Sequence, residues 1–245
     1  TVTISAGTGS TAIPVTVSND TLAECDETVI LTLTGTSCGV VSGASSTGTV
    51  TITEPSPSVS LAAVDPAAAE PESADNDGVF AIRLDGGQSA QRAITVTYSV
   101  GGTADNGNDY ATLSGVATIS AGATSTSVVV DVEDDALGEC DETVILTLTA
   151  VSCGVVNSAN STDTVSISDP DPTISLIVPD PNGAEQAGAN DDGEFVIRLD
   201  GGLLAERDLT ITYTITGSAT EGTDYTAIGN EVIVTAGSNS VSIPI

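Results

Sequence analysis

One phrase, Glu-Cys-Asp-Glu-Thr-Val-Ile-Leu-Thr-Leu-Thr, stands at positions 24–34 and again at 139–149. The offset, 139 minus 24, is 115 residues, and it holds without insertion wherever the chain allows a comparison. Arg83 matches Arg198, Arg92 matches Arg207, Tyr98 matches Tyr213, and Cys25 and Cys38 match Cys140 and Cys153. A fixed period marks a tandem array, and one this long exceeds any solenoid repeat, so each unit should be a domain with its own core. The cut points are uneven. Residues 1–54 are the C-terminal part of a module, 58–169 a complete one, and 173–245 the N-terminal part of a third. Pro55, Pro57, Pro170 and Pro172 stiffen the short linkers between them.

Within the complete module, apolar and polar residues alternate. Ile94, Val96, Tyr98 and Val100 are interleaved with Thr95, Thr97 and Ser99; Val144, Leu146 and Leu148 alternate with Thr143, Thr147 and Thr149. Period two is the mark of a half-buried strand. The pattern predicts strands near 58–64, 78–85, 92–100, 115–121, 126–133, 142–150 and 162–168, punctuated by Asp85-Gly86-Gly87 and Gly101-Gly102. Seven short strands without a helical period predict an all-β chain of antiparallel β-sandwiches in tandem.

The residue types that are missing remove whole mechanisms. With four Arg and no Lys, His, Met or Trp, the chain has no Ser-His-Asp or Cys-His arrangement and no Schiff base. A carboxylate pair could still hydrolyse glycosides, but six Phe and Tyr leave few platforms for a sugar. The chain is read as not an enzyme. A net charge of -30 repels phosphate and so excludes nucleic acid and anionic membranes as partners. No apolar run reaches the ~18 residues of a membrane span, and no signal peptide opens the sequence.

Following the strands up and down assigns the loops 65–77, 101–114 and 133–141, and the end of the last strand, to one pole. Fourteen of the 17 acids of residues 58–169 map there. Such crowding is strongly self-repelling unless something neutralises it. A hard cation does so: calcium takes six to eight oxygen ligands, and carboxylates converging from several loops supply them. The plainer alternative is a solubilising acidic surface, which accounts for the charge but not for its segregation.

Gly102-Thr103-Ala104-(x4)-Asp109-Tyr110, followed by Asp134-Asp135-(x3)-Glu139-(x2)-Glu142, resembles the Calx-beta family. That resemblance covers all three pieces and implies an immunoglobulin-like sandwich of about seven strands with calcium at one pole. It implies ligand roles for Asp109, Asp134, Asp135, Glu139 and Glu142, with Glu70 from the first loop and Asp169 and Asp171 at the exit. The matching positions in the first piece are Asn19, Asp20, Glu24, Glu27, Glu54 and Ser56; in the third piece they are Glu185 and Asp224. Two departures stand out. Pro170 and Pro172 interrupt the closing acids, and Asn19 and Ser56 remove two charges from the first site, which should hold fewer ions or hold them more weakly.

Cysteine is not part of the family pattern. Strand 142–150 separates Cys140 from Cys153, and at ~3.3 Å per residue it puts their loops roughly 26–30 Å apart. A disulfide needs Cα atoms within about 7 Å. In a head-to-tail array the top of one module meets the bottom of the next, which predicts a Cys25–Cys153 bridge, with Cys38 and Cys140 pairing to adjacent modules. Local Cys25–Cys38 and Cys140–Cys153 pairs through folded-back loops are the alternative. Either arrangement implies an oxidising setting, extracellular or at the cell surface. Asn19-Asp20-Thr21 and Asn160-Ser161-Thr162 are possible glycosylation sites in predicted loops.

These features point to a segment of an extracellular, calcium-stabilised rod or filament whose partners are neighbouring modules or subunits of the same kind, head-to-tail. The alternatives are an adhesin stalk or cell-surface adhesion array, and a calcium-sensing module pair. Thr1 opens inside a strand-like run, so the sequence is expected to be cut from something longer. Residues 1–15 and 231–245 both match 116–130. A continuous array is therefore expected in preference to separate chains that exchange strands, because two copies would compete for one place.

Overall fold

The computed structural model describes residues 1–70, 76–133, 135, 137–184 and 192–245. Its complete middle module is a β-sandwich, and all seven anticipated strands are present with small shifts at their ends. One sheet runs Ser125–Val130, Gly78–Leu84, Ser58–Asp65 and the short Val155–Val156. The other runs Ala67–Ala69, Thr162–Ser168, Glu142–Val151, Ile94–Gly102 and Val116–Ile119. Alternation places the core: Phe80, Ile82, Ile94, Val96, Val144 and Leu146 are buried between the sheets, while Thr95, Thr97 and Ser99 face solvent. Each fully buried aliphatic or aromatic side chain contributes on the order of 1.5–3 kcal/mol, so these strands hold the module together.

The segment after Asp65 departs from the sequence reading, which placed a loop at 65–77. Proline at position 66 lacks an N–H and cannot continue the ladder to Gly78–Leu84, whose register already slips between Ala63 and Asp65. The chain crosses to the opposite sheet instead. There Ala67–Ala69 pairs in parallel with Ser166–Ser168, and the Glu70 N–H donates to Ser168 O at 2.9 Å. A run of alanines carries no alternation, so this strand is silent in the sequence.

The outer pieces follow the same plan as far as their strands go. Ile174–Asp180, Glu194–Leu199 and Ser240–Pro244 form one sheet, and Leu209–Thr212 pairs with Glu231–Val234. Glu27–Thr32 pairs with Thr47–Ile52. Residues 1–21 contain no strand, although their counterparts 116–130 do. Those counterparts pair with Ile94–Gly102 and Gly78–Leu84, and the sequence holds no earlier copy of either partner.

The two module junctions repeat one another. Leu22–Ala23 pairs in parallel with Ser89–Ala90, and one period later Leu137–Gly138 pairs in parallel with Leu204–Ala205. Ala23, Ala90 and Ala205 are buried at these contacts. A disulfide joins Cys25 to Cys153 across the first junction, with the Cα atoms 5.7 Å apart. Cys38 and Cys140 are exposed free thiols, and no bridge joins either of them to Cys25 or Cys153. No helix among the described residues is long and apolar enough to cross a membrane.

Candidate metal centre

Four elements of the middle module deliver acids to one pole. Gly102 makes the first delivery possible. It sits at φ +118°, and a Cβ there would lie 2.0 Å from Thr143 O, so only glycine fits. The close approach lets the Thr103 and Ala104 N–H groups both donate to Thr143 O, at 3.0 and 3.1 Å. The chain then turns through a loop in which the Asp105 N–H donates to Asp109 Oδ2 and the Asp109 N–H donates back to Asp105 O. Asp109 is thereby fixed and buried. The sheet crossing at residue 66 delivers Glu70. The acidic loop entering Glu142–Val151 supplies Glu139 and Glu142, and the end of Thr162–Ser168 supplies Asp169, whose Oδ2 accepts the Glu139 N–H at 3.2 Å.

Two groups result: Glu70, Glu139 and Asp169, and Asp109, Glu139 and Glu142. Within each, one carboxylate oxygen per residue lies within 4.8 Å of the others. Glu139 belongs to both. It and Glu142 are each only 3% exposed.

Crowding shows in the electrostatics. Burial first, then the charges of Asp109, Asp135, Glu70 and Glu206, push the Glu139 carboxyl up to about 8. Burial and a hydrogen bond with Asp109 push Glu142 up to about 7, with Asp109 and Glu206 adding charge and Arg207 opposing them. Glu139 Oε1 and Glu142 Oε2 are buried with no hydrogen-bond donor facing them, so the Glu142–Asp109 bond needs a shared proton; the hydroxyl of Tyr110, next to Asp109 in sequence, is likewise buried and unsatisfied. A buried polar oxygen left in that state is costly. The donors are all oxygens, with neither imidazole nor thiolate, which suits a hard cation rather than zinc or copper.

The other anticipated residues fall as follows. Asp135 acts on Glu139 through its charge, and its Oδ1 accepts the Leu137 N–H at 2.6 Å. Asp134 and Glu185 lie outside the described residues. Asp171 is exposed and belongs to neither group. In the first piece, Asp20 Oδ1 accepts the Leu22 N–H at 2.8 Å. Burial, followed by the charges of Asp20, Glu27 and Glu54, holds the Glu24 carboxyl above its ordinary value. No three carboxylates converge there among the described residues. Asp224 Oδ2 accepts the Thr220 N–H at 2.7 Å, repeating the Asp109 turn. Asn19 and Asn160 are exposed.

Sequence reasoning passed over the residues that enter from the following module. Arg207 Nη2 lies 2.7 Å from Glu142 Oε1 and 2.7 Å from Glu206 Oε2. At the first junction Arg92 Nη2 lies 2.7 Å from Glu27 Oε1, and the Gln91 side chain hydrogen-bonds Glu24. The signal was present: all four arginines fall in two pairs one period apart, and Arg92 and Arg207 are the pair at the junctions.

Comparison with known proteins gives a consistent family. The Calx-beta domain model matches residues 1–56, 63–171 and 172–245. The crystal structure of CBD12 from CALX1.2 is 18% identical, covering 75% of this chain and 74% of its own, with a TM-score of 0.37. That of the calcium binding domain CBD12 of CALX1.1 is 22% identical, with 69% and 67% covered and a TM-score of 0.34. No curated protein matches the chain.

Proposed function

The chain belongs to the Calx-beta domain family, and from that premise we propose that it is a run of calcium-binding β-sandwich modules serving as a segment of an extracellular rod or filament. The observation that carries the reading is the pair of buried, partnerless oxygens, Glu139 Oε1 and Glu142 Oε2, among acids drawn from four elements. Asp109, Glu139 and Glu142 would hold one ion, and Glu70, Glu139 and Asp169 a second, with Glu139 bridging the two. Calcium matches an all-oxygen donor set of this size. When bound, it supplies the positive charge that the pole lacks.

The role is mechanical. The acidic pole of the middle module faces the start of the next one, and the ions neutralise the carboxylates there. Neutralisation favours the docked arrangement and fixes the angle between modules. The Cys25–Cys153 bridge supports a stiff, oxidised, extracellular array of modules partnered head-to-tail. It also weighs against calcium sensing, which needs a junction free to reorient. Titration calorimetry on the chelated chain tests the ion, and small-angle scattering with and without calcium tests the stiffening. No bound ion, or scattering unchanged by saturating calcium, would overturn the reading.

A further inference from the structure

We propose that Glu206, on the following module, is a ligand supplied across the junction to the ion held by Asp109, Glu139 and Glu142; the inference rests on the calcium reading above. The register places it. Leu137 pairs with Leu204 and Gly138 with Ala205 in parallel, so the next residues along the two strands are Glu139 and Glu206. Both lie one residue past the paired strands, and the charge of Glu206 reaches Glu139.

Arg207 sets the distance. Its Nη2 stands 2.7 Å from Glu142 Oε1 and 2.7 Å from Glu206 Oε2, so those two oxygens lie no further apart than twice that distance. Calcium–oxygen bonds of 2.3–2.6 Å make one coordination shell ~5 Å across, so the Glu206 carboxylate stands about one shell's width from that of Glu142. Both bonds from Glu206 to Arg207 use Oε2, and Glu142 gives Arg207 its Oε1. Glu206 Oε1 takes no part in the bonds to Arg207, and Glu142 Oε2 is buried with no hydrogen-bond donor facing it.

Donor number leaves room for a further ligand. Glu139 is shared between two groups and Glu142 has one oxygen engaged, so Asp109, Glu139 and Glu142 fall short of six to eight oxygens. At the first junction the same position is Gln91, a neutral amide bonded to Glu24. That junction is the one closed by the Cys25–Cys153 disulfide. The acidic side chain at this position is thus present at the second junction and replaced by an amide at the first.

Terbium(III), sensitised by Tyr110, is the probe, used on the whole 245-residue chain. Luminescence lifetimes in H2O and D2O count the waters on the ion. Glu206→Ala and Glu206→Asp, which remove or shorten the ligand, should each add about one water and weaken binding about tenfold. Glu231→Gln, an exposed charge on the same module, should do neither. An ion whose water count is unchanged in Glu206→Ala overturns this inference alone. A wild-type chain that binds no ion overturns the calcium reading and this inference together.

Discussion

Replacing Glu139 by Gln should stabilise the metal-free chain and destabilise the calcium-loaded one. The substitution keeps size and hydrogen-bonding capacity and removes only charge. Glu139 is 3% exposed, and its carboxyl sits at about 8 against an ordinary 4.5. At pH 7 the metal-free fold must therefore hold a proton that the unfolded chain releases. The gap between pH 7 and 4.5, at about 1.4 kcal/mol per pH unit, amounts to roughly 3 kcal/mol at most. Solvent screening at the rim of the pole brings the realised gain below that. Glutamine escapes the penalty, and for a domain of this size the gain is on the order of 10 °C in melting temperature. Calcium reverses the ranking. An ion at a thousandfold excess over its Kd stabilises by ~4 kcal/mol, and Glu139 serves both carboxylate groups, so the variant forfeits most of that stabilisation at each site. Thermal melts of both proteins at pH 7, in chelator and in saturating calcium, should therefore cross. A variant that melts lower than wild type in chelator would show that Glu139 makes a structural contact. An undiminished calcium shift would remove it from the ligand set.

The same values set the pH response. Glu139 and Glu142 are both raised above 4.5 in the fold, to about 8 and about 7, so they favour the folded state at low pH. The metal-free chain should lose stability as pH rises from about 4.5 toward 8, and its melting temperature followed across that window checks the sign. Calcium affinity should rise over the upper part of the same window as the competing protons leave. Non-reducing peptide mapping should recover a Cys25–Cys153 peptide; a Cys140–Cys153 peptide as the main species would refute the junction geometry. Gly102→Ala forces a Cβ to 2.0 Å from Thr143 O at a φ of +118°, and should cost several kcal/mol in chemical denaturation and displace Asp109. A loss below about 1 kcal/mol would show that the turn adapts.

How far the sequence reaches depends on whether a feature is local. The strands Ile94–Gly102 and Glu142–Val151 were legible because each writes its own period-two pattern. Ala67–Ala69 was not. It exists because residue 66 ends one ladder and Ser166–Ser168 offers another about a hundred residues away. Glu70 could be named by resemblance, but its place beside Asp169 is fixed by that silent strand. The junction was harder still, because up-and-down tracing treats one module at a time and leaves residues 86–91 at a pole far from the acids. Yet the step that joined Cys25 to Cys153 also carries the next strand to the acidic pole. Head-to-tail stacking sets the bottom of each module on the top of the last, so a cation at position 92 must meet the acids near 27, and one at 207 the acids near 142. In a chain with four cations against 34 acids, Arg92 and Arg207, repeated at one period, each meet a glutamate of the preceding module, half-buried Glu27 and buried Glu142. The repeat therefore specifies the contact between modules as well as the modules.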